Sequence, residues 1–99
     1  MYLTAAQLDT IRTYFAARPV KRAWLFGSYA RGEADAASDV DLLVVPDFTA
    51  YVGIDFFYWP DELRELLGIP VDVVSERSLN RHVRPYVEHD RLLIYERPT

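Results

Sequence analysis

The sequence has no cysteine among its 99 residues, which excludes disulfide bonds and metal sites built on thiolates. It also lacks a basic and apolar signal segment at its start, and no apolar run approaches the ~20 residues that a membrane helix requires. We therefore expect a cytoplasmic protein that binds no membrane. Repeats, low-complexity segments and flexible linkers are absent too, and the length predicts one small domain over residues 1–99.

The sequence also has fewer basic residues than acidic ones. The chain carries 11 Lys and Arg residues against 15 Asp and Glu residues, which gives a net charge of −4. This balance argues against broad electrostatic binding of nucleic acids, and no direct nucleic-acid binding is expected. An acidic surface suits a basic protein partner instead.

What the sequence does contain is a pair of carboxylates at the start of its most apolar run, in Ser38-Asp39-Val40-Asp41. Alternate side chains of a strand share one face, so Asp39 and Asp41 are expected to point the same way, with Cα atoms about 7 Å apart. Two shielded carboxylates repel each other, and a hard divalent cation such as Mg²⁺ removes that conflict. Solvated carboxylates on an exposed strand are the alternative, but the apolar residues that follow predict a strand buried on both faces.

A glycine and a serine follow the short apolar run that ends at Phe26. Gly27 would let a backbone approach a ligand closely, and Ser28 is predicted to cap a helix over residues 28–35. Free N–H groups at a helix start attract phosphate, and Arg31 lies one turn along the same helix. For Gly27 and Ser28 alone, an ordinary strand-to-helix turn is the preferred interpretation. Arg31 and the acidic pair on the next strand favour phosphate binding instead.

A third acid, Asp72, lies in the β-branched run of residues 70–74, where burial without a partner would be unfavourable. It can complete a site of three carboxylates. A carboxylate on an edge strand fits the same segment as well.

Taken in order, the Gly27-Ser28-Tyr29-Ala30-Arg31-Gly32 block, the Asp-x-Asp block and Asp72 resemble the signature of the polymerase β-type nucleotidyltransferase superfamily. More narrowly, the chain resembles the minimal nucleotidyltransferases, the MntA-like antitoxins of HEPN/MNT toxin–antitoxin pairs. This resemblance implies an α+β fold, sandwich-like, with a small mixed β-sheet flanked by helices.

The resemblance also implies roles for single residues. Asp39 and Asp41 are expected to be catalytic and to bind two Mg²⁺ ions, with Asp72 as a third ligand or a base. Gly27 and Ser28 are expected on the phosphates of ATP, and the position of Arg31 adds it to the nucleotide site.

The activity implied is transfer of AMP from ATP to a hydroxyl, most plausibly of a tyrosine, on a cognate HEPN ribonuclease toxin. Larger relatives append domains that hold the acceptor, so the acceptor of this chain is expected on a partner protein. Two alternatives stay open from the sequence: an antitoxin that masks its toxin by binding alone, and a stand-alone transferase that acts on a small molecule.

The periodicity and the punctuating residues also predict the elements of the fold. They indicate helices at about 4–17, 28–35, within 51–68 and near 79–89, and strands at about 22–26, 39–46, 70–74 and 92–95. Pro60 is predicted in the first turn of the third helix. The aromatic residues from Tyr51 to Trp59 are expected to pack in the core, with base stacking or a partner surface as the alternatives.

Overall fold

The computed structural model describes residues 1–47 and 55–98. Its elements, in chain order, are α1 (Ala5–Ala16), β1 (Val20–Phe26), α2 (Ser28–Arg31), β2 (Val40–Pro46), α3 (Asp55–Leu67), β3 (Val71–Ser75), a 3₁₀ turn (Glu76–Ser78), α4 (Arg84–Asp90) and β4 (Leu92–Glu96). None of the described helices is long and apolar enough to cross a membrane.

The described strands form one mixed sheet in the order β3-β2-β1-β4. Strand β1 pairs antiparallel with β2 and with β4, while β2 pairs parallel with β3. The parallel pair is joined through α3, as a parallel connection requires a crossover. The predicted α+β fold, a small mixed sheet flanked by helices, is confirmed.

Helix α1 begins at a capping box. The Thr4 hydroxyl accepts the Gln7 N–H at 3.1 Å, and the Gln7 side chain accepts the Thr4 N–H at 2.8 Å, so two free N–H groups of the helix start are satisfied. The apolar face of the helix buries Ile11, Tyr14 and Phe15. The predicted first helix is therefore confirmed to within a residue at each end.

Helix α3 begins before its proline, and the prediction that Pro60 opens this helix is wrong. Pro60 lies inside α3, where it removes one backbone hydrogen bond. The turn before it is nevertheless held because Trp59, 2% exposed, and Leu63, fully buried, lie on the face that packs into the core. The expected core packing of the aromatic residues holds for Phe56 and Trp59 but is wrong for Phe57 and Tyr58, which are exposed. Tyr51 lies outside the described residues.

Strand β2 is the centre of the sheet, and its side chains are buried on both faces. Val40, Leu42 and Val44 are fully buried in the main core. Leu43 points to the opposite face and is fully buried as well. The predicted two-sided burial is confirmed, and it leaves the leading end of β2, with its acids, as the place where the sheet opens.

Candidate active site

The register of the sheet brings two of the predicted acids side by side. Asp41 is the Cα partner of Asp72 on β3 and of Phe26 on β1. Neighbouring strands lie about 4.8 Å apart, and paired residues direct their side chains to the same face. Asp39 precedes β2 by one residue. The structure thus gathers all three acids at the end of the sheet where β2 and β3 begin, here called the acidic edge. Strand β3 is an outer strand of the sheet, so Asp72 also lies on an edge strand.

The surroundings of Asp41 raise the pKa of its carboxyl. The pKa of its carboxyl is raised from 3.8 to about 6, first by burial and then by the negative charges of Asp72 and Asp39, while the Arg31 guanidinium opposes the rise. Asp39 and Asp72 are exposed, whereas Asp41 is partly buried. The cause is the position of Asp41, between two strands and beside two other acids.

Gly27 is required by the Asp41 side chain. A Cβ atom at Gly27 would overlap the Oδ2 atom of Asp41, and the φ of Gly27 is +75°, a value that residues with a side chain rarely adopt. The carboxylate therefore lies in the space that the missing side chain leaves. The glycine of the motif serves the position of an acid, a role that the sequence did not reveal.

Helix α2 is shorter than predicted. It covers Ser28–Arg31, and Gly32 ends it with a φ of +75°, because the left-handed backbone at this glycine closes the last turn. Gly27 is the N-cap, and no side chain caps the helix, so the prediction that Ser28 is the cap is wrong. A helix of four residues has a weak dipole, and α2 is anchored instead by Tyr29, which is 4% exposed.

A turn that the sequence interpretation missed leads into the acidic pair. The Asp35 carboxylate accepts the Ala37 N–H at 2.9 Å, and the Ser38 hydroxyl accepts the Asp35 N–H at 2.9 Å. This arrangement fixes the chain just before Asp39. The Asp-x-x-Ser spacing is a recognisable turn signal and would have predicted it.

Arg31, predicted to bind nucleotide, lies near the acids but is engaged by two other carboxylates. It forms ion pairs with Glu33 at 3.0 Å and with Asp90 at 2.5 Å. Asp90 is 59 residues away in the sequence, and no local pattern could have connected it with α2.

The donor chemistry of the site fits Mg²⁺, which prefers carboxylate oxygens. Across residues 1–47 and 55–98, however, no three acidic, histidine or cysteine side chains are gathered closely enough to form a ready metal site. Asp39 and Asp72 are both exposed. The three carboxylates therefore share an edge of the sheet without converging on one point.

Comparison with known proteins agrees with this geometry. Residues 8–95 match the family model described as a nucleotidyltransferase domain. The chain belongs to this family. A protein adenylyltransferase MntA from Thermococcus cleftensis is 39% identical over 81 residues, which cover 78% of this chain and 74% of that protein.

Solved structures support the same assignment. One assigned to the minimal nucleotidyltransferases is 36% identical, covers 88% of each chain and has a TM-score of 0.74. A chain from the complex of a tri-AMPylated Shewanella oneidensis HEPN toxin with its MNT antitoxin covers 93% of this chain and 71% of its own length, with a TM-score of 0.69. At 19% identity that second likeness shows the fold alone. The resemblance to minimal nucleotidyltransferases is confirmed, and so is the enzyme class.

Proposed function

We propose that this nucleotidyltransferase is an antitoxin that transfers AMP from ATP to a hydroxyl, preferably of a tyrosine, on a cognate HEPN toxin. The observation that carries the proposal is the pairing of Asp41 with Asp72 across β2 and β3, beside a glycine that leaves room for the Asp41 carboxylate. The Thermococcus relative named protein adenylyltransferase MntA and the AMPylated toxin of the Shewanella complex support the choice of reaction and partner.

The roles that we assign to the residues are those that the family resemblance implies. Asp39 and Asp41 would hold Mg²⁺, with Asp72 as a third ligand or as the base. When bound, the ions neutralise the phosphates of ATP and stabilise the charge that develops on the transferred group. Gly27, Ser28 and Arg31 bind the phosphates.

The transfer itself is an in-line displacement. The acceptor oxygen forms a bond to the α-phosphorus while the bond to pyrophosphate breaks, and pyrophosphate leaves. The proton of the attacking hydroxyl passes to a carboxylate. We assign this role to Asp72, whose exposure leaves it accessible to an acceptor. Most of the acceleration comes from positioning and charge neutralisation.

The acceptor hydroxyl belongs to the partner protein. We propose that residues 1–99 form a single domain and that this domain modifies its partner in the cytoplasm. Added AMP places bulk and negative charge on the toxin. If the modified hydroxyl lies near the ribonuclease site, repulsion of RNA phosphates is enough to inhibit the toxin. Masking by binding alone and transfer to a small molecule remain the competing functions.

Mass spectrometry of the toxin tests the proposal. The toxin is incubated with ATP, Mg²⁺ and the wild-type chain, with the double variant Asp39→Asn/Asp41→Asn, or with Asp61→Asn, which removes an exposed carboxylate from α3. Wild type and Asp61→Asn should add AMP to the toxin and abolish its ribonuclease activity, and the double variant should do neither.

The competing functions give different results. If the double variant neutralises the toxin as well as wild type does, and no added mass appears, binding alone is the function. If AMP is transferred only to a small molecule in a reaction without toxin, the chain is a stand-alone transferase.

A further inference from the structure

Arg31 is the last residue of α2, a helix too short to fix the direction of its side chain. Helix α2 has four residues, and the glycines at both of its ends, Gly27 and Gly32, have φ values of +75°. So short a helix gains little from its own hydrogen bonds. The direction of the Arg31 side chain must therefore be set by contacts outside α2.

Two carboxylates set that direction. The Nε atom of Arg31 donates to Oε2 of Glu33 at 3.0 Å, and its Nη1 atom donates to Oδ2 of Asp90 at 2.5 Å. The guanidinium is planar, so two bonds from different nitrogens fix its plane. In the part of the chain that the structure describes, Nη2 donates to no protein acceptor.

Asp90 is the firmer of the two contacts. Its side chain is 14% exposed, against 67% for that of Glu33. It stands at the last residue of α4, where the Arg91 N–H bonds to the Val87 carbonyl at 2.9 Å, and Val87 is buried. Strand β4 follows directly and pairs with β1. A carboxylate on this junction is a rigid anchor for a side chain that belongs to α2.

Arg31 also belongs to the turn that borders the acidic edge. Its N–H donates to the Gly27 carbonyl at 3.2 Å, and Gly27 lies directly against the Asp41 carboxylate. An unrestrained arginine so near three acids would be drawn to them by their charge. The ion pairs with Glu33 and Asp90 keep the guanidinium from pairing with those acids. The acids of the edge then stay available to other cations, and a donor of Arg31 stays available to an anion.

We propose that Asp90, together with Glu33, is a positioning residue that holds the Arg31 guanidinium beside the acidic edge, with Nη2 left to bind a phosphate of the nucleotide. The inference rests on the proposed function, because it takes ATP as the ligand. It adds α4 to the nucleotide site, through a contact between residues that are far apart in the sequence.

Calorimetric titration with ATP and Mg²⁺ tests this role through a double-mutant cycle of Arg31→Gln and Asp90→Asn. Asp90→Asn should weaken ATP binding roughly two- to fivefold, the range of one partly exposed ion pair. The same change in the Arg31→Gln background should have no further effect, and Asp90→Glu should restore binding.

A matched control removes an ion pair elsewhere. Glu96→Gln breaks the pair of Glu96 with Arg22, at 3.0 Å, on the strands β4 and β1, and should leave ATP affinity unchanged. Melting temperatures of all variants show whether each one is folded, and they should not follow the order of the affinities.

The outcomes separate this inference from the proposed function. Unchanged affinity in Asp90→Asn, or an equal loss with and without Arg31, would overturn the positioning role and leave the transferase function standing. Affinity that only follows the melting temperatures would reduce Asp90 to a structural tie between α2 and α4. Failure of the wild-type chain to bind ATP at all would overturn the proposed function, and the positioning role with it.

Discussion

Replacing Asp41 by asparagine should stabilise the protein in buffer without divalent cations, and it should abolish transfer. The pKa of the Asp41 carboxyl is raised from 3.8 to about 6 by burial and by Asp72 and Asp39. At 1.36 kcal/mol for each pKa unit, the ionised carboxylate destabilises the fold by at most about 3 kcal/mol. The side chain is only partly buried, and solvent screening lowers the expected gain to about 1–2 kcal/mol.

The sign of this effect depends on pH. Between about pH 4 and pH 6 the folded protein holds a proton on Asp41 that the unfolded chain has already lost, so the free energy of unfolding falls as the pH rises through this window. Above it, the whole penalty is present. Asparagine does not titrate, and the gain of Asp41→Asn should therefore be small at pH 4 and complete at pH 7.5.

Urea unfolding of wild type and Asp41→Asn at these two pH values, with a chelator present, measures the effect. Asp47→Asn is the matched control, because Asp47 is also buried but pairs with Arg97 at 2.8 Å. Removing that charge should destabilise the protein at pH 7.5. If Asp41→Asn were no more stable than wild type at pH 7.5, or equally more stable at both pH values, the Asp41 carboxylate would not be strained and the reasoning would fail.

Three further changes test other parts of the structure. Gly27→Ala should cost at least about 1 kcal/mol and weaken ATP binding, by the positive φ and the overlap with Asp41; unaltered unfolding and titration curves would contradict this. Adding Mg²⁺ at pH 7.5 should raise the melting temperature of wild type but not of Asp41→Asn, and EDTA should reverse the rise. Tyr14→Phe should cost about 1 kcal/mol in urea unfolding, since it removes a 2.6 Å hydrogen bond to Glu62; if the loss in the double variant Tyr14→Phe/Glu62→Ala equalled the sum of the two single losses, the pairing would be contradicted.

Much of the fold followed from the sequence because the periodic patterns are clear. The apolar run after Asp41 predicted a strand buried on both faces, and the structure has it at the centre of the sheet. The shared face of Asp39 and Asp41 stays a prediction, because Asp39 lies one residue ahead of β2. The pairing of Asp41 with Asp72 could not be derived from spacing, since the register of a parallel pair depends on the crossover between its strands.

The errors have one physical origin, which is that long-range packing outweighs local preference. Pro60 is a strong signal for a helix start, yet burial of Trp59 extends α3 ahead of it. Ser28 is a good capping residue, but the Asp41 carboxylate of β2 occupies the space that a side chain at position 27 would need, so Gly27 is the cap. The ion pair of Arg31 with Asp90 joins residues that are 59 positions apart, and no sequence pattern around either residue predicts it.

The unfavourable free energy of the ionised Asp41 carboxylate is offset by the burial of its neighbours on β2. Strand β2 pairs with a neighbour on each side, and Val40 and Leu42, which flank Asp41, are fully buried. Burying an aliphatic side chain of this size contributes about 1.5–3 kcal/mol, so these two flanking residues together outweigh the penalty of one raised carboxyl pKa. An edge strand such as β3 has fewer such contacts, and the acid it carries, Asp72, is exposed. The strand that is buried on both faces therefore carries the carboxyl whose pKa is raised. A cation that binds Asp41, or a substitution that removes its charge, should stabilise the whole sheet.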